Sequence, residues 1–254
     1  MSTQEDGSDG SSGNVFALTT VAPIYPLYIR DEKGNIMYNS TAGIQSYDYG
    51  DGTVNGLIRP YIQQANPLCS NQLDTNESEG NSVNAIGFAE VRFLKDFKFT
   101  STNSVSSEET RSTITTNPWF GQYASQNGAI TVEHDRTWSY NYQQLLTWHH
   151  QFDQHEVDAM LGHEYYRRRY YVLYGDKTNM YTFPSNDMAS AVNTGSTNSY
   201  RDDYNTEGWF GRVQYNYDQK YFASMSYRRD ASSRFAPENR WGNFWSFGGA
   251  WMIS

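Results

Sequence analysis

The chain has 254 residues and is short of several features that usually place a protein. It has a single cysteine, Cys69, so no internal disulfide can form, and neither a CxxC pair nor a catalytic motif surrounds it. It has no run of about 18 apolar residues, so no helix of this chain spans a bilayer. That absence leaves membrane barrels open, because their strands alternate and average out as polar. Basic charge is scarce. The 19 Lys and Arg against 28 Asp and Glu leave a net charge of −9, which argues against a nucleic-acid partner. The first residues, MSTQEDGSDGSSGN, lack a basic n-region and an apolar h-region, so they are not a secretory signal. No nucleophile elbow or phosphate loop is present, so no cofactor is implied and nothing points to an enzyme.

What is abundant is rings. Aromatics make up 16% of the chain, with 21 Tyr, 13 Phe and 7 Trp, yet mean hydropathy is −0.77. That combination suits strands that expose rings on one side only. The stretch Glu207–Ser254 shows the pattern most clearly. Trp209, Gly211, Val213, Tyr215 and Tyr217 alternate with Phe210, Arg212, Gln214 and Asn216. After an Asp218-Gln219 turn, Tyr221, Ala223, Met225 and Tyr227 alternate with Phe222, Ser224, Ser226 and Arg228. A third arm alternates Trp245, Phe247, Trp251 and Ile253 with Ser246, Gly248 and Ala250. Period-2 alternation on every arm predicts antiparallel strands with one apolar face.

Two earlier hairpins follow the same rule. Ala89, Val91 and Phe93 lead to a Lys95-Asp96 turn, then Phe97 and Phe99. Trp138, Tyr140, Tyr142, Leu146, Trp148, His150 and Phe152 share a face before an Asp153-Gln154 turn. Val157, Ala159 and Leu161 follow, set against Glu156, Asp158 and Glu164. Between the tight turns lie long polar stretches, read here as loops: Glu108–Ile130 and Gly175–Asp203. Brief turns alternating with long loops are the layout of outer-membrane barrels. A soluble sandwich turns every 8–12 residues.

The fold expected is therefore all-β, an antiparallel transmembrane β-barrel segment of about seven strands. Candidate lipid-facing residues are Trp138, Tyr140, Tyr142, Trp148, Trp209, Val213, Tyr215, Tyr221, Met225, Tyr227, Trp245 and Trp251. Crossing takes about 9–11 tilted residues, which puts Trp209 at an outer aromatic girdle above the Asp218 turn. Residues 1–84 are expected to be a disordered N-terminus (1–14) followed by an irregular region. That region includes a short strand within Val15–Ile29, broken by Pro23 and Pro26, and a long loop over Asp31–Asn84. Residues 85–254 are expected to form the barrel strands and loops.

Candidate chemistry is sparse. His134, His149, His150, His155 and His163 do not show helical metal-ligand spacing, and adjacent His149 and His150 must point oppositely on a strand. They read as interface and lumen residues, with no metal assigned. Arg167-Arg168-Arg169 could meet an anionic ligand or lipopolysaccharide, though a solvated rim explains it. Glu108-Glu109 and Asp202-Asp203 lie outside any paired-carboxylate geometry. Trp119, Phe120, Tyr123, Tyr181 and Phe183 fall in loops and are the candidates for ligand contact, against ordinary loop packing. A soluble secreted β-sandwich that binds carbohydrate is the competing reading, and a non-functional truncated product a third.

Several ordered motifs carry a resemblance. GRVQYNYDQKYFASMSYRRDASSRF at 211–235, then NRWGNFWSFGGAW at 239–251, resemble the SusC/RagA-like family of TonB-dependent outer-membrane transporters. Weaker matches reach back through NTEGWFGR at 205–212, LGHEYY at 161–166, QQLLT at 143–147, FLKDF at 93–97 and NPL at 66–68. The resemblance implies a barrel in the bacterial outer membrane. It implies uptake of nutrients, glycans or peptides, with TonB supplying energy and a SusD-like lipoprotein as partner. The family's TonB box, plug domain and last barrel strands find no match here, so the chain is expected to be an internal fragment of a longer transporter.

Overall fold

The computed structural model describes residues 2–5, 23–50, 52, 58–59 and 66–253. Its strands are β1 (Ser2–Glu5), β2 (Tyr38–Asn39), β3 (Ile44–Gln45), β4 (Thr75–Phe93), β5 (Phe97–Thr116), β6 (Ala129–Phe152), β7 (His155–Met180), β8 (Ala191–Tyr217), β9 (Tyr221–Ser232) and β10 (Trp241–Trp251). Among the described residues an α-helix, α1, spans Pro67–Leu73. The main sheet runs β1-β4-β5-β6-β7-β8-β9-β10, so from β4 onward each strand pairs with its neighbour in sequence. That is an antiparallel meander, with seven strands from β4 to β10 and the short β1 on the outer edge.

The tight turns fall where the sequence places them. Leu94 and Lys95 (φ 49° and 61°), Asp153 (φ 55°), and Asp218 and Gln219 (φ 47° and 53°) all sit in the left-handed region. Two successive left-handed residues give the primed turn whose twist matches the flanking strands. At the last hairpin Lys220 N–H donates to the Tyr217 carbonyl at 3.0 Å.

Strand length departs from expectation. β6, β7 and β8 run for 24, 26 and 27 residues, and the supposed loops shrink to 117–128 and 181–190. β4 begins at Thr75, so the long loop expected to end at Asn84 ends sooner, and the 84/85 boundary falls inside a strand. Sequences such as SVSSEETRSTITT in β5 and NTGSTNSYRDDYN in β8 are polar at nearly every position. A strand with polar residues on both faces has no period-2 signal, yet its ladder hydrogen bonds still form. Within the 1–14 stretch expected to be disordered, Ser2–Glu5 pair with Glu77–Gly80 as a strand, and the rest lies outside the described residues. The strand expected within Val15–Ile29 lies mostly outside the described residues. Near its end, Tyr28 bridges Tyr47 and Arg30 bridges Ile36.

The contacts divide the chain into two compact units. The first holds Met1–Asn81, Glu109–Asp135 and Val172–Tyr200, and the second holds Ser82–Glu108, Arg136–Tyr171 and Arg201–Ser254.

The first unit is built around buried side chains. Tyr47, Tyr49, Cys69 and Phe120 form one cluster, with Leu73, Ile44 and Trp119 packed on it. Ile130, Met180 and Ala191 form another, joined by Phe183 and Met188. The NPL motif explains the start of α1. Asn66 caps it by accepting from Cys69 N–H at 3.1 Å, and Pro67 sits where the helix needs no N–H. The Asn66 amide also donates to the Leu27 and Asp48 carbonyls at 3.1 and 3.0 Å, tying three segments together. Asn117, 1% exposed, does the same for the 117–121 turn. Its backbone and side-chain amides both donate to Asp74 Oδ1 at 2.8 Å, and its own Oδ1 accepts from Trp119 and Phe120 N–H. Gly50 (φ 65°) is required where it stands, because a Cβ there would run into the Arg59 side chain.

The second unit holds the tight turns and the strand segments next to them. Its register across β8, β9 and β10 aligns Gly211, Tyr227 and Trp245, then Val213, Met225 and Phe247, then Tyr215, Ala223 and Gly249, then Tyr217, Tyr221 and Trp251. These are one-face rows, as the alternation predicts. Ile253 lies beyond the end of β10.

Candidate membrane-facing and lumen-facing surfaces

On one face of the second unit the rings touch in sequence. Near the tight turns, Phe93, Phe97, Trp148, His150, Phe152, His155, Tyr217, Tyr221 and Trp251 form an unbroken chain of ring contacts from β4 to β10. Their centroids are 4.8–6.3 Å apart. That spacing is the attractive range for aromatic pairs. Higher on the same face, Trp138, Tyr140, Tyr142, Tyr165, His163 and Trp209 form a second chain, with His163 stacked on Trp209 at 4.0 Å.

The two belts bound a band without charge. Between them on this face lie Val157, Ala159 and Leu161 on β7, Val213 on β8, Ala223 and Met225 on β9, and Phe247 on β10. Trp209 and Tyr217 are eight residues apart on β8, about 26 Å along a strand and about 20 Å after a tilt near 40°. An outer-membrane apolar band is about 25 Å tall. Large side chains in and beside this band are open: Trp245 is 73% and Phe247 71% exposed. No second sheet covers this face among the described residues, so the sandwich alternative fails on packing. Arg229 lies at the upper edge of the band, opposite Trp209, with its guanidinium 4.8 Å from the Trp241 ring.

The opposite face is polar. Arg228 Nε donates to Asp230 at 2.7 Å and its Nη2 reaches Glu164 at 3.4 Å, while the guanidinium covers the Phe210 ring. Asn216 donates to Glu156 at 2.9 Å, and Ser226 meets Ser246 at 2.8 Å. An open cavity of about 460 Å³ is lined by Glu156, Asp158, Gln214, Asn216, Phe222 and Ser224. His149, Glu156 and Asp158 bring ligand atoms within 4.8 Å of one another, the one such trio among the described residues. His149 Nδ1 is already hydrogen-bonded to Asp158 at 2.7 Å.

The histidines divide between the faces as their parity requires. His149 is on the polar side. His150 meets Asp96, His155 meets the Tyr215 hydroxyl, and His163 meets Glu207, all on the ring side. His134, in the first unit, meets Glu109 at 2.6 Å. The sequence reading put His150 and Phe152 on the ring-bearing face without naming them as lipid-facing candidates, and left His155 and His163 unassigned between interface and lumen. The signal was available, since each shares parity with the neighbouring rings.

The loop candidates separate. Phe120 is buried among Tyr47, Tyr49 and Cys69, so it is a core residue rather than a ligand contact. Its N–H bond to Asn117 folds the loop inward and turns the ring with it. Trp119 packs edge-on against Phe183 at 5.2 Å, and Tyr123 is half-buried. Tyr181 has an exposed ring and donates its hydroxyl to the Ala189 carbonyl at 2.6 Å. Burial pushes the Cys69 thiol up to about 12, and also raises the Tyr47 and Tyr49 phenols, so this cluster is neutral at ordinary pH.

An antiparallel sheet with ring belts on one side and polar groups on the other is a segment of a transmembrane-type β-barrel. Comparison with known proteins agrees. No family model matches the chain. The TonB-dependent receptor SusC of Bacteroides thetaiotaomicron is 29% identical over 223 residues, covering 85% of this chain and 21% of that protein. The TonB-dependent receptor P3 of Formosa agariphila is 24% identical over 191 residues, covering 74% of this chain and 19% of that protein. A solved structure of the RagAB peptide transporter superposes with a TM-score of 0.68 at 22% identity, over 82% of this chain and 23% of that one. The chain thus spans about a fifth of the length of the curated relatives it matches. The resemblance to SusC/RagA-like TonB-dependent receptors, carried by the motifs above, is borne out.

Proposed function

We propose that this chain forms part of the barrel wall of a TonB-dependent transporter in the bacterial outer membrane. In this reading residues 85–254 supply wall strands and their extensions, and the first of those strands begins within 1–84, at Thr75. The whole protein imports glycans or peptides, works with a SusD-like lipoprotein and draws energy through TonB. The chain contributes lipid-facing and lumen-facing surface and catalyses nothing. The candidate lipid-facing residues are those of the two belts and the band between them.

The observation that supports this reading is the uncharged band bounded by the two belts. A soluble sheet has no reason to leave Met225, Phe247 and Trp245 open to water. The test places a lysine in the band of the protein that carries this chain. Val213→Lys or Met225→Lys should cost several kcal/mol of folding in a bilayer, read as loss of the heat-resistant compact form on gels. If both variants assemble in membranes as the parent does, the face does not meet lipid.

A further inference from the structure

Three arginines follow the upper belt on the ring-bearing face. Arg167 and Arg169 on β7 both reach one carboxylate oxygen, Asp203 Oδ2 on β8, at 3.5 and 3.8 Å. The pairs His155–Tyr215, His163–Glu207 and Arg167–Asp203 advance along β7 and retreat along β8 by equal steps. Arg201 stands two residues before Asp203 on β8 and so shares its face. Arg201 is exposed, and no ion pair holds it among the described residues. Arg167 Nε is enclosed by protein and has no acceptor. The nearest other acid on this face, Glu207, is engaged by His163 Nε2 at 3.1 Å and Trp209 Nε1 at 3.2 Å. Two guanidiniums therefore share one loosely held carboxylate, with a third, Arg201, exposed two residues away on the same face, on a chain whose net charge is −9.

Depth narrows what can complete this cluster. Arg169 is four residues beyond Tyr165, about 13 Å along the strand and about 10 Å in height after tilting. Headgroup layers add about 5–8 Å on each side of the hydrocarbon, and arginine stems reach several ångströms further. A guanidinium's planar fork matches phosphate oxygens in pairs. We propose that Arg167, Arg169 and Arg201 form a binding site for the phosphate of a phosphorylated lipid headgroup in the outer leaflet. The site rests on the membrane-facing reading of this surface.

The test uses the protein that carries this chain, extracted from membranes and placed in phosphatidylcholine nanodiscs doped with a bisphosphorylated glycolipid or its dephosphorylated form. Replacing two arginines, Arg169→Gln with Arg201→Gln, should weaken binding of the phosphorylated form about thirtyfold and leave the dephosphorylated form unchanged. Arg168→Gln, on the opposite face against Tyr170, should change neither. Asp203→Asn removes the competing carboxylate and should tighten binding about fivefold, a gain that a misfolded variant would not show. Equal affinity for the two lipid forms, loss of binding in Arg168→Gln alike, or displacement of the lipid by low concentrations of inorganic phosphate would each overturn the proposal. Quenching of Trp209 and Trp245 by brominated lipid separates the two levels of argument. Quenched rings without phosphate selectivity sink this site alone, whereas unquenched rings sink the membrane face and this site together.

Discussion

The two units dispose of their apolar side chains in opposite ways. In the first, Tyr47, Tyr49, Cys69 and Phe120 bury one another, and a buried Asn117–Asp74 pair directs the chain inward. In the second, rings and aliphatics of equal size stand open on one sheet face, with belts of contact only at its margins. The same hydrophobic effect acts on both. The first unit withdraws its apolar surface from water by folding on itself. The second needs another apolar medium to do so. A reader of composition alone would average the two and see a merely polar chain.

Substitutions in matched positions sharpen the contrast. The largest effect should come from Phe120→Ala, which opens a cavity in the first cluster and should cost about 3–5 kcal/mol, measured by thermal unfolding of the outer region. If Phe120→Ala unfolds with the parent, the loop is not held by its core. Next is a pair on one strand and one face: Leu161 lies in the uncharged band and Leu173 in the outer part of β7, at 54% and 49% exposure. Leu161→Lys should cost about 2–4 kcal/mol in a bilayer and Leu173→Lys less than about 0.5 kcal/mol. Similar urea midpoints for the two variants would erase the distinction between the units.

A pH titration separates the units by another route. The Cys69, Tyr47 and Tyr49 groups hold their protons more tightly when folded than when unfolded. Their contribution is complete below about pH 9, the thiol's ordinary range, and is lost as pH rises toward 12. The first unit should therefore soften between those values, with tyrosinate absorbance appearing as Cys69 becomes open to alkylation. Rapid alkylation of Cys69 at neutral pH in the folded protein would contradict its burial. The smallest effect belongs to the turn: Gln219 sits at φ 53°, and Gln219→Gly should stabilise the last hairpin by up to about 1 kcal/mol. Hydrogen exchange at Tyr217 and Lys220 would report it, and a destabilised hairpin would refute the turn assignment.

The comparison also explains which expectations held. Strand faces were legible from Trp209 to Trp251 because an apolar face and a polar face alternate with a period of two along each strand. The turns at Asp96, Asp153 and Asp218 were legible because short polar breaks interrupt that period. The outer halves of β5 and β8 were read as loops because Ser, Thr and Asn on both faces leave no period to find. Phe120 was read as a ligand contact because a ring in a loop looks exposed until the loop's own hydrogen bonds are known.

Alternation along the chain was thus enough to decide the strands nearest the turns and which of their faces is apolar. Which rings meet across strands, how far the strands run past the band, and which loop ring turns inward were decided only in three dimensions. Neighbouring strands set the first two through register and ladder bonds, and Asn117 with Asp74 set the third. None of these leaves a mark in the local order of residues, because each depends on partners tens of positions away.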